Sequence, residues 1–463
     1  MTGLSTEPGS PPRVNSLTDE RTHHVSNSFS ARTGFVFTLL YLIFEFGRPQ
    51  DKVGQLSTIR LGVILISILV VLLFFNWRSL RIVASTQTSC MLMMLFLLAL
   101  HVPFAANIGR AYVATLGFLL YFILFVSITV FVDTFDRLRI LMNCWIGLMV
   151  YIAVNGILGG GNAGSSFLQD ENDFALLMNM MLPFGAFLFF YERNRKTKLF
   201  YLIASLVCIA SVIASFSRGG FIGLLVVAFV VWLTSSRKVL LLGVAGGMAL
   251  VILNLPITHT GTLVPDSTYW EEMTTIGQDD VKDFNKESRV EYWKSGWEMF
   301  KDHPLGVGPQ NFGVWLGDYR TDYFAELNIE PENMWGKVAH SIWITLLSEL
   351  GVPGTLIFLS LLFANIRDIR YLKNLSMDGK EHRRYAYFLS LALITSVLGY
   401  LASGTFLSAL YYPHYWYLTA MIVATRKVVD RAESSSPKAQ DGPVEFGNPR
   451  SQDNTAPNHQ RIG

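Results

Sequence analysis

The chain has 463 residues, of which 51% are hydrophobic and only 16% are charged, and its formal net charge is +2. So low a charged fraction, gathered between long apolar runs, excludes an ordinary soluble domain. The small net charge sums over both sides of any membrane and is uninformative. The sequence contains no nucleic-acid motif, phosphate-binding glycine loop or zinc-protease motif, so we expect no nucleic-acid partner.

Apolar runs recur along nearly the whole chain. Because a helix needs about 20 largely apolar residues to cross a bilayer, these runs predict about twelve spans. The predicted spans lie near residues 34–47, 59–76, 89–105, 111–132, 138–157, 172–190, 199–215, 219–234, 238–255, 341–364, 384–402 and 405–424. The predicted fold class is therefore an all-α polytopic membrane protein of about 12 transmembrane helices, with one large loop that contains short helices.

The distribution of Lys and Arg orients the predicted helices. The basic connections are 76–88, 133–139, 191–198, 235–238, 365–384 and the segment after the last span. The connection 158–171 contains neither residue type. By the positive-inside rule, both termini are cytoplasmic and the loop 256–340 lies outside. We predict disordered tails over 1–30 and 426–463, flanking a transmembrane domain over 31–425.

The loop 256–340 is the segment large enough to fold outside the lipid, and it is rich in Trp and Tyr. Within it, residues 286–301 predict an amphipathic helix. Val290, Trp293, Trp297 and Phe300 recur at helical spacing and would share one face. An interfacial helix with a tryptophan belt is the favoured interpretation. A sugar-binding wall is the alternative, because aromatic faces can cover the apolar faces of sugar rings, and the two are compatible.

One histidine, His340, stands where the long polar loop meets a hydrophobic helix. A lone histidine is more often structural than catalytic, but this position favours a catalytic role. The dipole at the start of the following helix disfavours the imidazolium form. A neutral imidazole at the boundary between membrane and water can accept a proton as a general base.

Two arginines are candidate anion ligands. Arg218 lies beside Gly219 and Gly220 between two predicted spans, and Arg289 lies on the predicted loop helix. A snorkelling arginine at a helix end explains the first equally well, and a solvated surface arginine is the simpler account of the second. In the functional interpretation, both guanidinium groups grip phosphate oxygens in a bidentate way.

Carboxylates mark two further places. Glu171 and Asp173 stand with Asp170 at the start of a predicted span, where the helix dipole stabilises them, and this interpretation is favoured over substrate binding. Glu349 lies inside a predicted span, so it is a functional candidate, although it could simply pair with an arginine or the backbone. The cysteines all fall within predicted spans, so the sequence indicates neither a disulfide nor a metal site, and we expect no cofactor.

Several segments together resemble the O-antigen ligase and O-antigen polymerase superfamily. Besides the Arg289 helix they are FEFGRPQD (44–51), QDENDFALLMNMMLP (169–183), SRGGFIGLL (217–225), HPLGVGPQNF (303–312) and AHSIWITLLSELGVPGTLIFLSLL (339–362). Each segment alone is a weak signal. Their order, their spacing and their placement around one long loop make the combination fairly specific.

The resemblance implies an inverting glycosyltransferase of the bacterial inner membrane that needs no metal and acts in lipopolysaccharide or polysaccharide biosynthesis. Such an enzyme moves a glycan from undecaprenyl pyrophosphate to an acceptor hydroxyl on the periplasmic face. The acceptor is lipid A core in ligases, another lipid-linked glycan in polymerases, or a protein side chain in O-glycosylation ligases.

The resemblance also implies roles for individual residues. His340 would be the general base, and Arg218 and Arg289 would hold the pyrophosphate. We name as supporting groups Glu349, Glu171, Asp173 and Trp293.

Two other classes stay open on the sequence alone. A transporter or flippase would move a lipid-linked or small anionic substrate, but the candidate ionisable groups gather at the outer edge, and no matched pair of broken helices is evident. A scaffold in an envelope polysaccharide complex would tolerate the loss of His340, Arg218 and Arg289 together.

Overall fold

The computed structural model describes residues 29–52, 60–80, 84–159, 168, 170–235, 284–375 and 379–435, and the isolated positions 238, 239, 243, 246 and 247. Most of the predicted span at 238–255, most of the predicted tails and the first part of the long loop lie outside the described residues. Regular structure in the described part is helical throughout.

The long helices follow one another with short connections. They are α1 (Phe29–Gly47), α2 (Leu61–Phe75), α3 (Thr86–His101), α4 (Ile108–Phe131), α5 (Phe135–Leu158), α6 (Glu171–Tyr191), α7 (Arg195–Ala214), α8 (Arg218–Thr234), α9 (Phe284–Asp302), α10 (Ile342–Asn374), α11 (Glu381–Gly404) and α12 (Pro413–Ser434). Short helical turns occupy Pro49–Lys52, Trp77–Leu80, Val102–Phe104, Phe312–Trp315, Asp322–Glu326, Pro331–Met334 and Ala409–Tyr411.

Short polar side chains begin many of these helices. Each accepts a hydrogen bond from a backbone N–H of the first turn, which would otherwise lack a partner. The capping residues are Ser85, Asn107, Thr134, Asp170, Asn194 and Ser217. These caps fix where each helix starts, and at Asp170 and Ser217 they also fix the approach of the chain to the site described below.

Eight of the described helices are long and apolar enough to cross a membrane, and α2 and α8 are shorter apolar helices. The prediction of an all-α, multi-pass membrane protein is confirmed, whereas the eight candidate spans among the described residues do not confirm the count of about twelve. The last predicted span, 405–424, is displaced in the structure. Helix α12 begins only at Pro413 and continues to Ser434, so residues 426–434 are helical where the sequence predicts a tail.

Helix α6 lies at the centre of the bundle and packs against α5, α7, α8 and α11. Within it, the side-chain amide of Asn179 donates to the backbone oxygen of Gly220 at 2.7 Å and to Ser403 Oγ at 3.1 Å. A Cβ at Gly223 would stand 2.0 Å from Ser403 Oγ, so α8 can approach this closely only with glycine there. Small residues and a buried amide therefore join three helices where an apolar surface alone gives little specificity.

Helix α10 is broken at Gly351, whose φ of 61° and ψ of −158° are not helical. Gly351 is followed by Pro353, which has no N–H with which to bond the carbonyl of Glu349. The break therefore exposes backbone groups in the middle of an apolar helix, where unsatisfied polar groups are costly.

The HPLGVG segment supplies the missing partners. Gly306 lies so close that a Cβ there would be 2.3 Å from the backbone oxygen of Glu349, and its φ of 94° also favours glycine. The hydrogen bonds run from Val307 N to Ser348 O, from Gly308 N to Glu349 O and from Val352 N to Pro304 O, each at 2.9 Å. Two separate sequence motifs thus form one backbone-to-backbone joint that fixes the long loop to α10.

Helix α9 matches its predicted position, and it packs against the protein largely through residues outside the predicted apolar face. Val290 and Trp297 are exposed, whereas Tyr292, Ser295 and Met299 are buried. The reason is that α9 packs against the rest of the loop and α10 through small groups. Ser295 Oγ donates to the Tyr319 carbonyl at 2.8 Å, and a Cβ at Gly296 would meet Ile344 at 2.3 Å.

Candidate functional site

A cavity of about 800 Å³ opens at one end of the bundle, between the start of α6, helix α9, the start of α10 and the turn before α12. It is lined by Arg110, Asp170, Glu171, Asn172, Asp173, Arg289, Tyr292, Gln310, Phe312, Gly313, Lys337, Val338, Ala339, His340, Thr345, Glu349, Leu407, Ser408, Tyr411 and Tyr412. The cavity thus brings together groups that lie far apart in the sequence, and most are charged or polar.

His340 lines this cavity immediately before α10 and adopts a left-handed backbone conformation with φ of 49°. That conformation is uncommon for a residue with a Cβ and is found preferentially where function holds the chain in place. Two contacts from α9 hold it here. The Tyr292 ring stacks on the imidazole with centroids 6.2 Å apart, and Trp293 Nε1 donates to the Ala339 carbonyl at 3.0 Å. Trp293 therefore constrains His340 indirectly, through the backbone of the preceding residue, Ala339.

Burial lowers the pKa of His340 below its ordinary value of 6.5, and the positive charge of Arg289 lowers it further, while Asp170 opposes the shift. The imidazole is consequently neutral at neutral pH. The sequence predicts a neutral imidazole from the helix dipole, but the structure attributes the shift to burial and to a specific neighbouring charge. A neutral imidazole in a cavity can accept a proton.

Three cations line the cavity: Arg110, Arg289 and Lys337. None of them forms an ion pair with a residue that the structure describes. Planar guanidinium groups match phosphate and carboxylate oxygens, and an ammonium group attracts them as a point charge. The three side chains make the cavity suited to an anionic ligand.

Two of the three carboxylates at the start of α6 have hydrogen-bond partners within the protein. Asp170 caps α6 by accepting from Asn172 N at 2.8 Å, which confirms the helix-start interpretation of this segment. Asp173 accepts a hydrogen bond from the Tyr412 hydroxyl at 2.7 Å. Glu171 lines the cavity beside them. Asp170 and Asp173 are therefore engaged in hydrogen bonds within the protein.

Glu349 is buried and accepts three hydrogen bonds. The donors are the backbone N–H of Gln310 at 2.7 Å, the backbone N–H of Phe312 at 3.0 Å and the Tyr411 hydroxyl at 2.7 Å. The interpretation that this carboxylate bonds to backbone is therefore confirmed. It joins α10, the HPLGVGPQNF segment and the turn before α12 into one cavity wall.

Arg218 does not line the cavity. It is the exposed first residue of α8, and the cap of that helix, Ser217, donates through Oγ to Asn172 Oδ1 at 2.7 Å. Because Asn172 does line the cavity, this hydrogen bond attaches the start of α8 to its rim. Phe216, two residues earlier, has a left-handed φ of 51°, so the chain turns sharply here.

Sequence reasoning missed Arg110, Lys337, Tyr411 and Tyr412 as lining residues. Arg110 and Lys337 carry a weak signal, since each is a basic residue in a connection on the side of the bundle predicted to be poor in Lys and Arg. The tyrosines carry none, because they lie in what the sequence presents as the start of a continuous apolar span.

Within the described part of the chain, no group of three or more His, Cys, Asp or Glu side chains could hold a metal ion. The chemistry open to the lining residues themselves is proton acceptance by one imidazole, neutralisation of an anion by guanidinium and ammonium groups, and hydrogen bonding by hydroxyl and amide groups.

Residues 203–359 match the family model described as O-antigen ligase. The resemblance to the O-antigen ligase and polymerase superfamily is thereby confirmed, and the match supports a glycosyltransferase-type enzyme of the ligase or polymerase kind. The matched region includes Arg218, Arg289, His340 and Glu349. No curated protein shows a match to the chain.

Proposed function

We propose that this membrane protein, with an O-antigen ligase region over residues 203–359, transfers a glycan from undecaprenyl pyrophosphate to an acceptor hydroxyl. The observation that carries the proposal is the cavity in which His340, with its lowered pKa, lies beside Arg289, a guanidinium that has no ion-pair partner among the described residues. The transfer needs a base that deprotonates the acceptor hydroxyl and a cation that binds the departing pyrophosphate, and this cavity contains both.

In the proposed reaction, His340 accepts the proton of the acceptor hydroxyl. The acceptor oxygen then forms a bond to the anomeric carbon of the donor sugar, from the face opposite the pyrophosphate. The bond between that carbon and the phosphate oxygen breaks, and the electron pair leaves with the pyrophosphate. The donor is already activated, so orientation, one proton transfer and charge neutralisation account for the work of the enzyme.

Arg289 and Arg218 hold the pyrophosphate in this proposal. Arg289 lines the cavity, and its charge also keeps His340 neutral. Arg218 lies at the rim on the first residue of α8, so it meets the outer part of the pyrophosphate when the donor is bound. Two planar guanidinium groups can neutralise the leaving group without a metal ion.

The remaining lining groups have supporting roles. Glu171 and Asp173 line the cavity and accept hydrogen bonds from sugar hydroxyl groups. Glu349 and Trp293 hold the HPLGVGPQNF segment and Ala339 in place. We place the cavity on the periplasmic face of the inner membrane, with both termini in the cytoplasm, because the basic connections lie at the other end of the bundle.

The length of the product shows which class of acceptor the protein uses. The purified protein is reconstituted in bilayers with an undecaprenyl-pyrophosphate oligosaccharide, with and without a lipid A core acceptor, and the products are separated on a gel. We expect one shift that requires the acceptor, which defines a ligase. A ladder formed from the donor alone defines a polymerase of the same superfamily.

A protein O-glycosylation ligase gives neither result but modifies an added acceptor protein. The absence of any covalent product with every acceptor contradicts the proposal and favours a transporter. Flux of the lipid-linked glycan across the same bilayers then tests transport directly.

A further inference from the structure

Trp335 and Arg110 form a stacked pair beside the cavity. The guanidinium carbon of Arg110 lies 4.3 Å from the centroid of the Trp335 ring, within the range of a cation–π contact. Arg110 lines the cavity, so the tryptophan stands at its edge. Although Arg110 covers part of the ring, Trp335 is still 56% exposed. A large apolar ring thus remains accessible next to a cation.

The backbone around this pair is fixed by glycines. Gly336 has a left-handed φ of 79°, and a Cβ there would be 3.3 Å from an Arg110 guanidinium nitrogen. Its N–H donates to the Gly313 carbonyl at 3.1 Å. Gly313 in turn lies against Lys337, since a Cβ at Gly313 would be 2.3 Å from the Lys337 carbonyl oxygen. This turn therefore fixes the backbone of Trp335 and holds its ring against Arg110.

Lys337 adds a second cation to the same turn. Both Lys337 and Arg110 line the cavity, and neither forms an ion pair with a described residue. They come from parts of the chain other than the α8 and α9 helices that carry Arg218 and Arg289. The reaction proposed above uses neither of them, so both are available to a ligand group other than the pyrophosphate.

We propose that Trp335, Arg110 and Lys337 form a carbohydrate subsite that binds an acidic sugar of the glycan substrate. The apolar face of the pyranose ring packs on the Trp335 ring, and the negative substituent of the sugar meets the guanidinium and ammonium groups. The subsite selects which glycans enter the cavity and lies outside the reacting bond. The inference rests on the proposed function only in taking the ligand to be a glycan.

Binding of soluble oligosaccharides tests the subsite without any turnover. The full-length protein in nanodiscs is titrated into a fluorescently labelled oligosaccharide that ends in a uronic acid, and the anisotropy gives the Kd. A matched oligosaccharide that ends in the neutral hexose is measured in parallel. We expect the acidic ligand to bind roughly tenfold more tightly, as one charge-assisted contact allows.

The variants are Trp335→Ala and Lys337→Gln, both at exposed positions, so neither change removes a buried side chain. Trp335→Ala is expected to weaken binding of both ligands by roughly tenfold, the effect of one lost stacking contact. Lys337→Gln is expected to weaken binding of the acidic ligand alone. Trp297→Ala is the matched control, since Trp297 is 48% exposed on α9, does not line the cavity and has its ring against Phe300.

Equal affinity of the acidic and neutral ligands overturns the charge selection, and unchanged binding by Trp335→Ala overturns the subsite. The readout is independent of glycan transfer. A protein that binds the acidic ligand through Trp335 but makes no product retains the subsite and contradicts the proposed function. A protein that makes product but binds the acidic ligand equally well without Trp335 retains the proposed function and contradicts the subsite.

Discussion

The indole Nε1 of Trp293 donates a hydrogen bond to the carbonyl oxygen of Ala339 at 3.0 Å. Ala339 directly precedes His340, which has a left-handed φ of 49°. One side chain of α9 thereby controls the backbone on which the proposed base is carried. A left-handed conformation is strained for a residue with a Cβ, so neighbouring contacts must hold it in place. Loss of this hydrogen bond is therefore expected to displace His340 and to lower activity.

We expect Trp293→Phe to lower kcat by roughly ten- to a hundredfold, because small displacements of a catalytic group are costly even when the group itself is intact. The phenyl ring keeps much of the packing against Phe406, whose centroid is 6.2 Å from the Trp293 ring, but cannot donate to Ala339. Initial rates of transfer by equal amounts of inserted protein measure the effect. Trp297→Phe is the control, and a Trp293→Phe rate equal to that of the control contradicts the positioning role.

The pH dependence of transfer reports the charge on His340. Since burial and Arg289 lower the pKa of His340 from 6.5, the acid limb of kcat/KM is expected below pH 6.5, where the imidazole takes up its proton and can no longer act as a base. Arg289→Gln removes a positive neighbour, so it raises this pKa and moves the limb to higher pH. Asp170→Asn removes a negative neighbour and moves the limb to lower pH.

Normalised pH profiles of the three proteins separate this effect from any loss of substrate binding. Shifts of the limb in the same direction in Arg289→Gln and Asp170→Asn disagree with electrostatic control of His340. A limb that stays in place in both variants assigns the titration to another group.

Arg218→Lys is expected to lose most of the transfer activity, because an ammonium cannot reproduce the planar, two-pronged contact of a guanidinium with phosphate. The matched control is Arg195→Lys, since Arg195 is likewise the exposed first residue of a helix, α7. Rates are compared at saturating acceptor while the donor concentration is varied. Full activity of Arg218→Lys reduces Arg218 to an anchor at the membrane surface.

Much of the architecture is predictable from the chain, because apolar runs and short polar caps are local signals. The predicted spans between residues 34 and 234 each coincide with a helix. The start of α12 was not predictable in this way. Thr405 to Tyr412 continue the apolar composition of the span, and only the tertiary structure shows that they turn before Pro413.

The candidate site was also predictable only where its residues carry local sequence signals. His340 and Glu349 have local signals, namely a histidine at a helix start and a carboxylate in an apolar run. Arg110 has no comparably strong signal, because a single arginine in a short connection acquires meaning only when the fold brings it to Trp335. Tyr411 reaches Glu349 across 62 positions of sequence, which no local pattern indicates.

The backbone joint between Gly351 and the HPLGVG segment is expected to contribute to the stability of the folded protein. Gly351→Ala would place a Cβ 2.3 Å from the Pro304 carbonyl oxygen at a φ of 61°, so we expect a loss of roughly 1–3 kcal/mol in the free energy of unfolding. The loss is detected as a smaller fraction of protein that stays monodisperse after heating in detergent. The control is Gly147→Ala within α5, where a Cβ meets nothing within 4 Å. Equal heat resistance of the two variants contradicts a tightly packed joint.

The proposed function depends above all on His340 as the general base, and the initial rate of glycan transfer by His340→Ala tests that role. His303→Ala is measured beside it, because His303 lies in the same loop, packs against Trp315 with centroids 4.8 Å apart and does not line the cavity. With equal amounts of inserted protein, we predict no detectable product from His340→Ala and near wild-type product from His303→Ala. Near wild-type turnover by His340→Ala would contradict the assignment of this histidine as the base.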